Sequence, residues 1–230
     1  MLCRLIALML MFALGAAGGC TSAPAPAPQA PDAQALAEEA ADSLEDLRSA
    51  TVTLRTTGAI PGLVVHKAEA RIRTEGGAAG SGRGEATIYR ADGSADVEFT
   101  LADDTLTVVH ENGDRSRLRA HGSYLPATLF SRDGPLGTML TSATGLRTEA
   151  TEEMDGVTTY RLGGELSRSV ISSLLPQVTS DVQVKFWVGG PTAPALYRVW
   201  IQVPPPRPNQ GAAMLEVGIS EHNQPIPATR

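Results

Sequence analysis

Thiols are almost absent. The 230 residues contain two cysteines, Cys3 and Cys20, both near the start. The rest of the chain therefore offers no disulfide, no cysteine-based zinc cluster and no thiol nucleophile. Aromatic residues make up only 4% of the sequence, so buried apolar area must come from Val, Leu, Ile and Ala. That favours a sheet-built body lined with aliphatic side chains. Positive charge is also short: 19 Lys and Arg stand against 25 Asp and Glu, a formal net charge of −6. With no long basic run, nucleic acid is not an expected partner.

Catalytic signatures are missing as well. His66, His110, His121 and His222 share no H-E-x-x-H spacing and read as surface residues. There is no G-x-S-x-G elbow for an esterase. The glycines of Gly76-Gly77 to Gly80-Ser81-Gly82 lack the Lys-Ser/Thr that completes a phosphate loop, and read as a hairpin. Asp103-Asp104 and Glu152-Glu153 read as turn acids facing water. Trp187 and Trp200 fall on strands, where core or rim packing competes with stacking on sugar. Neither an enzyme nor a cofactor or metal is expected.

The apolar run Leu5 to Leu14 is too short to span a bilayer. It follows Arg4 and leads through Gly15-Ala16-Ala17-Gly18-Gly19 to Cys20, the pattern of a bacterial lipoprotein signal. Ala17 stands three residues before the cysteine, where a leucine is more usual. Cleavage at an A-x-A site such as Ala23-Pro24-Ala25, or an uncut signal anchor, is the alternative. The expected organisation is a signal peptide over 1–19, an Ala/Pro-rich tether over 20–31, one domain over 32–225 and a tail over 226–230. Lipidation at Cys20 would hold that domain on the extracytoplasmic side of the cell membrane, with the alternating Ala-Pro segment as an extended stalk.

Asp32 can cap a helix in which Leu36, Ala40, Leu44 and Leu47 recur at helical spacing. From Ala50 the period changes to two. Val52, Leu54 and Thr56 alternate with polar residues, as do Ala68, Ala70 and Ile72. Gly84, Ala86 and Ile88 follow, then Ala95, Val97, Phe99 and Leu101 beyond the Asp92-Gly93 turn. Asn112-Gly113 reads as a hairpin between Thr105–His110 and Arg115–Arg119. Pro126–Phe130 and Pro135–Ala143 each begin with proline, which suits a helix start. Strands resume at Val157–Leu166, Val182–Val188, Leu196–Val203 and Ala212–Ser220, interrupted by a short helix from Arg168 to Leu175. One apolar and one wet face per strand predicts an α+β arrangement, an antiparallel sheet covered on one side.

The order of parts resembles the LppX/LprG family of mycobacterial and actinobacterial lipoproteins, itself similar in fold to the carriers LolA and LolB. The resemblance runs from about Pro31 to Pro225. It is carried by Leu44-Glu45-Asp46-Leu47-Arg48-Ser49-Ala50 leading into Val52-Thr53-Leu54, and by Gly58-Ala59-Ile60-Pro61-Gly62-Leu63. Asp96-Val97-Glu98-Phe99 and Pro126-Ala127-Thr128-Leu129-Phe130 follow. Gly134-Pro135-Leu136-Gly137-Thr138-Met139-Leu140, Asp155-Gly156-Val157-Thr158-Thr159-Tyr160 and Phe186-Trp187-Val188 complete it. The proline-rich loop Pro204–Pro208 and the scarcity of aromatics depart from the family pattern.

The resemblance implies a strongly curved antiparallel half-barrel with helices packed on its concave face around an apolar cavity. It implies a carrier of long-chain acylated lipids or glycolipids, moving them from the inner membrane toward the outer envelope, with a membrane lipid exporter as partner for some members. Elementary energetics agree: a bare acyl chain of about sixteen carbons costs roughly 12 kcal/mol in water. The expected lining is Val52, Leu54, Leu63, Ile72, Ala86, Ile88, Val97, Phe99, Leu101, Leu106, Leu129, Phe130, Leu136, Met139 and Leu140. The inward small residues Ala68, Ala70, Gly84, Ala86 and Ala95 favour room. Apolar strand faces also pack against helices in any half-covered sheet. A tethered interaction module of the envelope with a filled core therefore stands as the alternative.

Overall fold

The carboxylate of Asp32 accepts the backbone N–H groups of Gln34 at 2.9 Å and Ala35 at 3.5 Å, and so starts helix α1 (Ala33–Ser43). A 3-10 turn, Leu44–Asp46, ends it and hands the chain to the sheet. The computed structural model describes residues 30–75, 79–91, 93–205, 209 and 211–225. The signal peptide, Cys20, nearly all of the tether and the tail from 226 lie outside these described residues. So do Gly76, Gly77, Asp92 and the middle of the proline-rich loop.

The first meander is β1 (Ser49–Thr57), β2 (Val65–Arg73), β3 (Ser81–Arg90), β4 (Gly93–Ala102), β5 (Thr105–His110) and β6 (Arg115–Arg119). The second is β7 (Thr144–Met154), β8 (Val157–Leu166), β9 (Val182–Gly189), β10 (Leu196–Val203) and β11 (Ala213–Ser220). Every neighbouring pair is antiparallel. The sheet is open and curved, with the order β6-β5-β4-β3-β2-β1-β11-β10-β9-β8-β7. Its two edges, β6 and β7, are consecutive strands. The chain must therefore cross the whole sheet between residues 119 and 144, and the crossing carries α2 (Pro126–Leu129) and α3 (Pro135–Ser142). Both begin with proline, whose missing N–H costs nothing there. A short α4 (Arg168–Ile171) sits between β8 and β9.

Register assigns the faces. Ala50, Val52 and Leu54 of β1 share one face with Leu215, Val217 and Ile219 of β11. The same face carries Val199 and Ile201 of β10, then Val184 and Phe186 of β9, then Leu162 of β8. It packs with Leu36, Ala37, Ala40 and Ala41 of α1 and Leu136, Met139 and Leu140 of α3 in a continuous core. The alanine stripe lets α1 lie close to α3, β7, β9 and β10. The cover is uneven: α1 packs on the β7–β10 side, and the short α2 packs on β2.

Two elements differ from expectation. β7, with the sequence TGLRTEATEEM, carries no alternating pattern because it is an edge strand with register shifts at Thr144/Arg147 and Thr148/Ala150. The helix expected to reach Leu175 stops at Ile171 and continues as turns, with the N–H of Val178 bonding to the carbonyl of Leu175.

Candidate functional site

Across β1 to β5 the inner face forms three apolar rows. The first is Leu54, Ala68, Ala86 and Val97, ending on His110. The second is Val52, Ala70, Gly84, Phe99 and Val108. The third is Ala50, Ile72, Gly82, Leu101 and Leu106, continuing to Leu118 on β6. A Cβ on Gly84 would run into the backbone of Glu69 and Ala70, so only glycine allows β2 and β3 their close approach. Small residues in the middle of each row keep the floor of this half low. Phe99, Ile88, Leu106 and Val108 are half-exposed, whereas Ala86, Val97 and Leu101 are buried.

The fifteen expected lining residues fall into two groups. Val52, Leu54, Ala86, Val97, Phe99, Leu101 and Leu106 lie in the three rows beside Ile72, and Ile88 stands opposite Ala95 on the same face. Leu63 is half-buried at the β1–β2 corner and packs on the core. Leu129 does the same from α2. Phe130, Leu136, Met139 and Leu140 are enclosed completely, the last two with no exposed surface. The structure thus separates a half-open sheet surface from a packed helical layer.

The rim is polar and tied down. Ala127 N–H bonds to the Ala79 carbonyl at 3.2 Å, fixing α2 beside the β2–β3 hairpin. Tyr124 donates its hydroxyl to the Leu174 carbonyl at 2.8 Å. Burial pushes its phenol above the ordinary value. His110 closes one row, with Nε2 3.0 Å from Ser116 Oγ and Nδ1 2.6 Å from an Arg90 guanidinium nitrogen. His222 is half-buried rather than on the open surface. Its Nε2 meets the Leu196 carbonyl at 3.0 Å, and burial holds its pKa below the ordinary value. Among the described residues no group of three His, Cys, Asp or Glu could hold a metal ion. No helix there is long and apolar enough to cross a membrane.

The outer face is polar and largely charged over β2 and β3, with Lys67, Glu69, Arg71, Arg73, Arg83 and Glu85 on it. A depression of about 1160 Å³ over β2–β5 is lined by charged residues, Lys67, Glu69, Arg71, Glu85 and Glu98, and also by Ala68, Ala70, Gly84, Ala86, Val97 and Phe99 of the apolar rows. Both tryptophans also point outward. Trp187 donates Nε1–H to Glu152 at 2.8 Å and carries the Arg198 guanidinium 5.4 Å above its ring. Trp200 carries Lys185 Nζ at 5.9 Å. Alternation predicts a wet outer face, but which of its residues stack on one another follows only from strand register.

A half-covered open sheet with an apolar inner face defines an α+β half-barrel. The chain belongs to the LppX_LprAFG lipoprotein family, whose family model matches residues 32–227. It is 28% identical over 192 residues to a Mycobacterium tuberculosis protein named lipoarabinomannan carrier protein LprG, covering 81% of this chain and 80% of that one. The fold is shared with crystal structures of LprF from Mycobacterium bovis and LppX from Mycobacterium tuberculosis. LprF superposes with a TM-score of 0.71 at 17% identity, covering 87% of this chain and 97% of that one. LppX gives 0.67 at 24% identity, covering 86% and 99%.

Proposed function

We propose that this protein is a lipid-anchored extracytoplasmic carrier that binds the acyl chains of a lipid or glycolipid against the inner face of β1–β5. The observation that carries the reading is the three-row apolar surface, half-exposed and low in the middle where alanines and glycines stand. Membership of a lipoprotein family supports it, as does a relative named for carrying lipoarabinomannan. Shielding a hydrocarbon chain needs apolar area and no reacting group. The protein is accordingly a non-enzymatic carrier. The sheet residues from Val52 to Leu106 touch cargo. Leu136, Met139 and Leu140 form the wall behind it.

In this reading Cys20 bears the anchor, residues 20–31 tether the domain, and the carrier takes lipid at the inner membrane toward the outer envelope, with a membrane exporter as partner. The competing reading is a tethered interaction module with a filled interior. The complete enclosure of Met139 and Leu140 favours it for the half beneath α1 and α3.

Mass spectrometry of protein purified without detergent separates the two. Co-purifying acyl lipid is expected, and a clean protein would overturn the carrier reading. Ala86→Trp should abolish loading while the fold survives, and retained loading would remove Ala86 from the site. Palmitate labelling should disappear in Cys20→Ala, and unchanged labelling would exclude Cys20 as the attachment point.

A further inference from the structure

We propose that β6, the free edge of the sheet, is a docking edge for an anionic bilayer surface. Its five residues, Arg115-Ser116-Arg117-Leu118-Arg119, place three exposed arginines on the outer face. Leu118, on the inner face, is 57% exposed although it continues the apolar row through Leu101 and Leu106. Apolar on one side and cationic on the other, this strand suits an interface where arginines reach phosphates and a leucine dips below them.

The charge is cancelled only in part. Arg119 pairs with Asp104 at 2.8 Å. Among the described residues Arg115 and Arg117 make no ion pair, and Asp114 in the adjoining turn is held by Asn112 at 2.7 Å. The neighbouring strand presents Thr105, Thr107 and Val109 to the same face, with no carboxylate among them. In a chain of net charge −6 this strip is an exception, and it stands at the open end of the apolar face.

Charged residues also protect sheet edges from pairing with other chains. The opposite edge, β7, has bulges for that purpose, whereas β6 pairs with β5 without a register shift. Charge of either sign protects an edge, but only positive charge attracts an anionic surface, and that difference decides between the two roles.

The inference does not rest on the carrier reading, because its test involves no cargo. The full chain carrying Cys20→Ala is mixed with phosphatidylcholine vesicles with and without phosphatidylglycerol, and partition is measured by flotation. The ratio of anionic to neutral partition should gain about fivefold per unpaired arginine, roughly 25-fold for two. It should fall as salt is raised. The exposed double variant Arg115→Glu/Arg117→Glu keeps a charged edge, and circular dichroism checks its fold. Arg115→Gln/Arg117→Gln replaces it if that fold is lost. The ratio should drop to about one or below in either, and Leu118→Ser should weaken anionic binding further. Equal partition of the parent chain into both vesicles would overturn the proposal, whether or not an acidic protein segment binds the edge. A ratio unchanged by the arginine substitutions would overturn it as well.

Discussion

The Glu149 carboxylate fills the space that a Cβ on Gly163 would need, so the glycine on β8 seats the acid that reaches across from β7. There Glu149 accepts from Lys185 Nζ at 2.8 Å and Arg161 Nε at 3.2 Å, with Arg147 at 3.3 Å. One largely buried carboxylate thus ties an edge strand with two register shifts to the two strands behind it.

Glu149→Gln should lower stability by about 1–2 kcal/mol, and Gly163→Ala by about 1–3 kcal/mol through displacement of the acid. The two changes should be less than additive in urea titrations, since they remove the same contact. The hydrogen bond from Lys185, more than any other influence, holds the Glu149 carboxyl below its ordinary value of 4.5. Its stabilisation is therefore complete above that value and lost as pH falls through the lowered one. Urea midpoints of Glu149→Gln should fall less than those of the parent over that acid range.

The packed and half-open halves should respond differently to truncation. Met139→Ala removes a side chain with no exposed surface and should cost about 2–5 kcal/mol. Phe99→Ala on the half-exposed row should cost less in stability than Met139→Ala but should reduce co-purifying lipid more. Denaturant midpoints read beside lipid content check both, and equal lipid loss would count against the division of roles.

Asn223 fastens the segment after β11 to the junction of α1 and β1. Its Oδ1 accepts Arg48 N–H at 2.6 Å and Ser49 N–H at 3.4 Å, while Nδ2 donates to the Asp46 carbonyl at 3.1 Å. Its own N–H bonds to the Ser49 carbonyl at 2.8 Å, and its φ of 58° is left-handed. Asn223→Ala loses the side-chain bonds and strains the backbone, and should cost about 1–3 kcal/mol. Asn223→Gly loses the same bonds without the strain and should cost less. Thermal melts of the pair separate the two contributions.

His222 should make the fold sensitive to mild acid. Burial holds its folded pKa below 6.5, so the unfolded chain protonates first as pH falls. Stability should therefore drop from about neutrality toward the lowered folded value. His222→Gln should flatten that part of the profile. An equal slope in both proteins, measured by urea unfolding across this range, would disprove the assignment.

Much of the strand order was legible before any coordinates. Val157–Leu166 and Leu196–Val203 occupy their expected positions, each with one largely buried face, and Thr105–His110 and Arg115–Arg119 flank the Asn112-Gly113 turn as expected. β7 was not legible: at an edge its charged residues serve a cross-strand network, and bulges break the period that would have revealed it. The inward positions between Val52 and Leu106 could be read from the sequence. The separation of Phe99 from Met139 could not, since both are simply large apolar residues until the reach of α1 and α3 over the sheet is known. Trp187 and Trp200 stand on the face opposite the apolar rows, which only register shows, and Trp187 is nevertheless buried there.

The two meanders meet along a single seam, β1 against β11, where Thr51 and Glu221 share a hydrogen bond although 170 positions separate them in the chain. Closing that seam requires nearly the full domain to be present, so synthesis must pass β11 before the sheet becomes continuous. A chain shortened ahead of β11 would leave Val52 and Leu54 along an unpaired border, exposed to any passing strand.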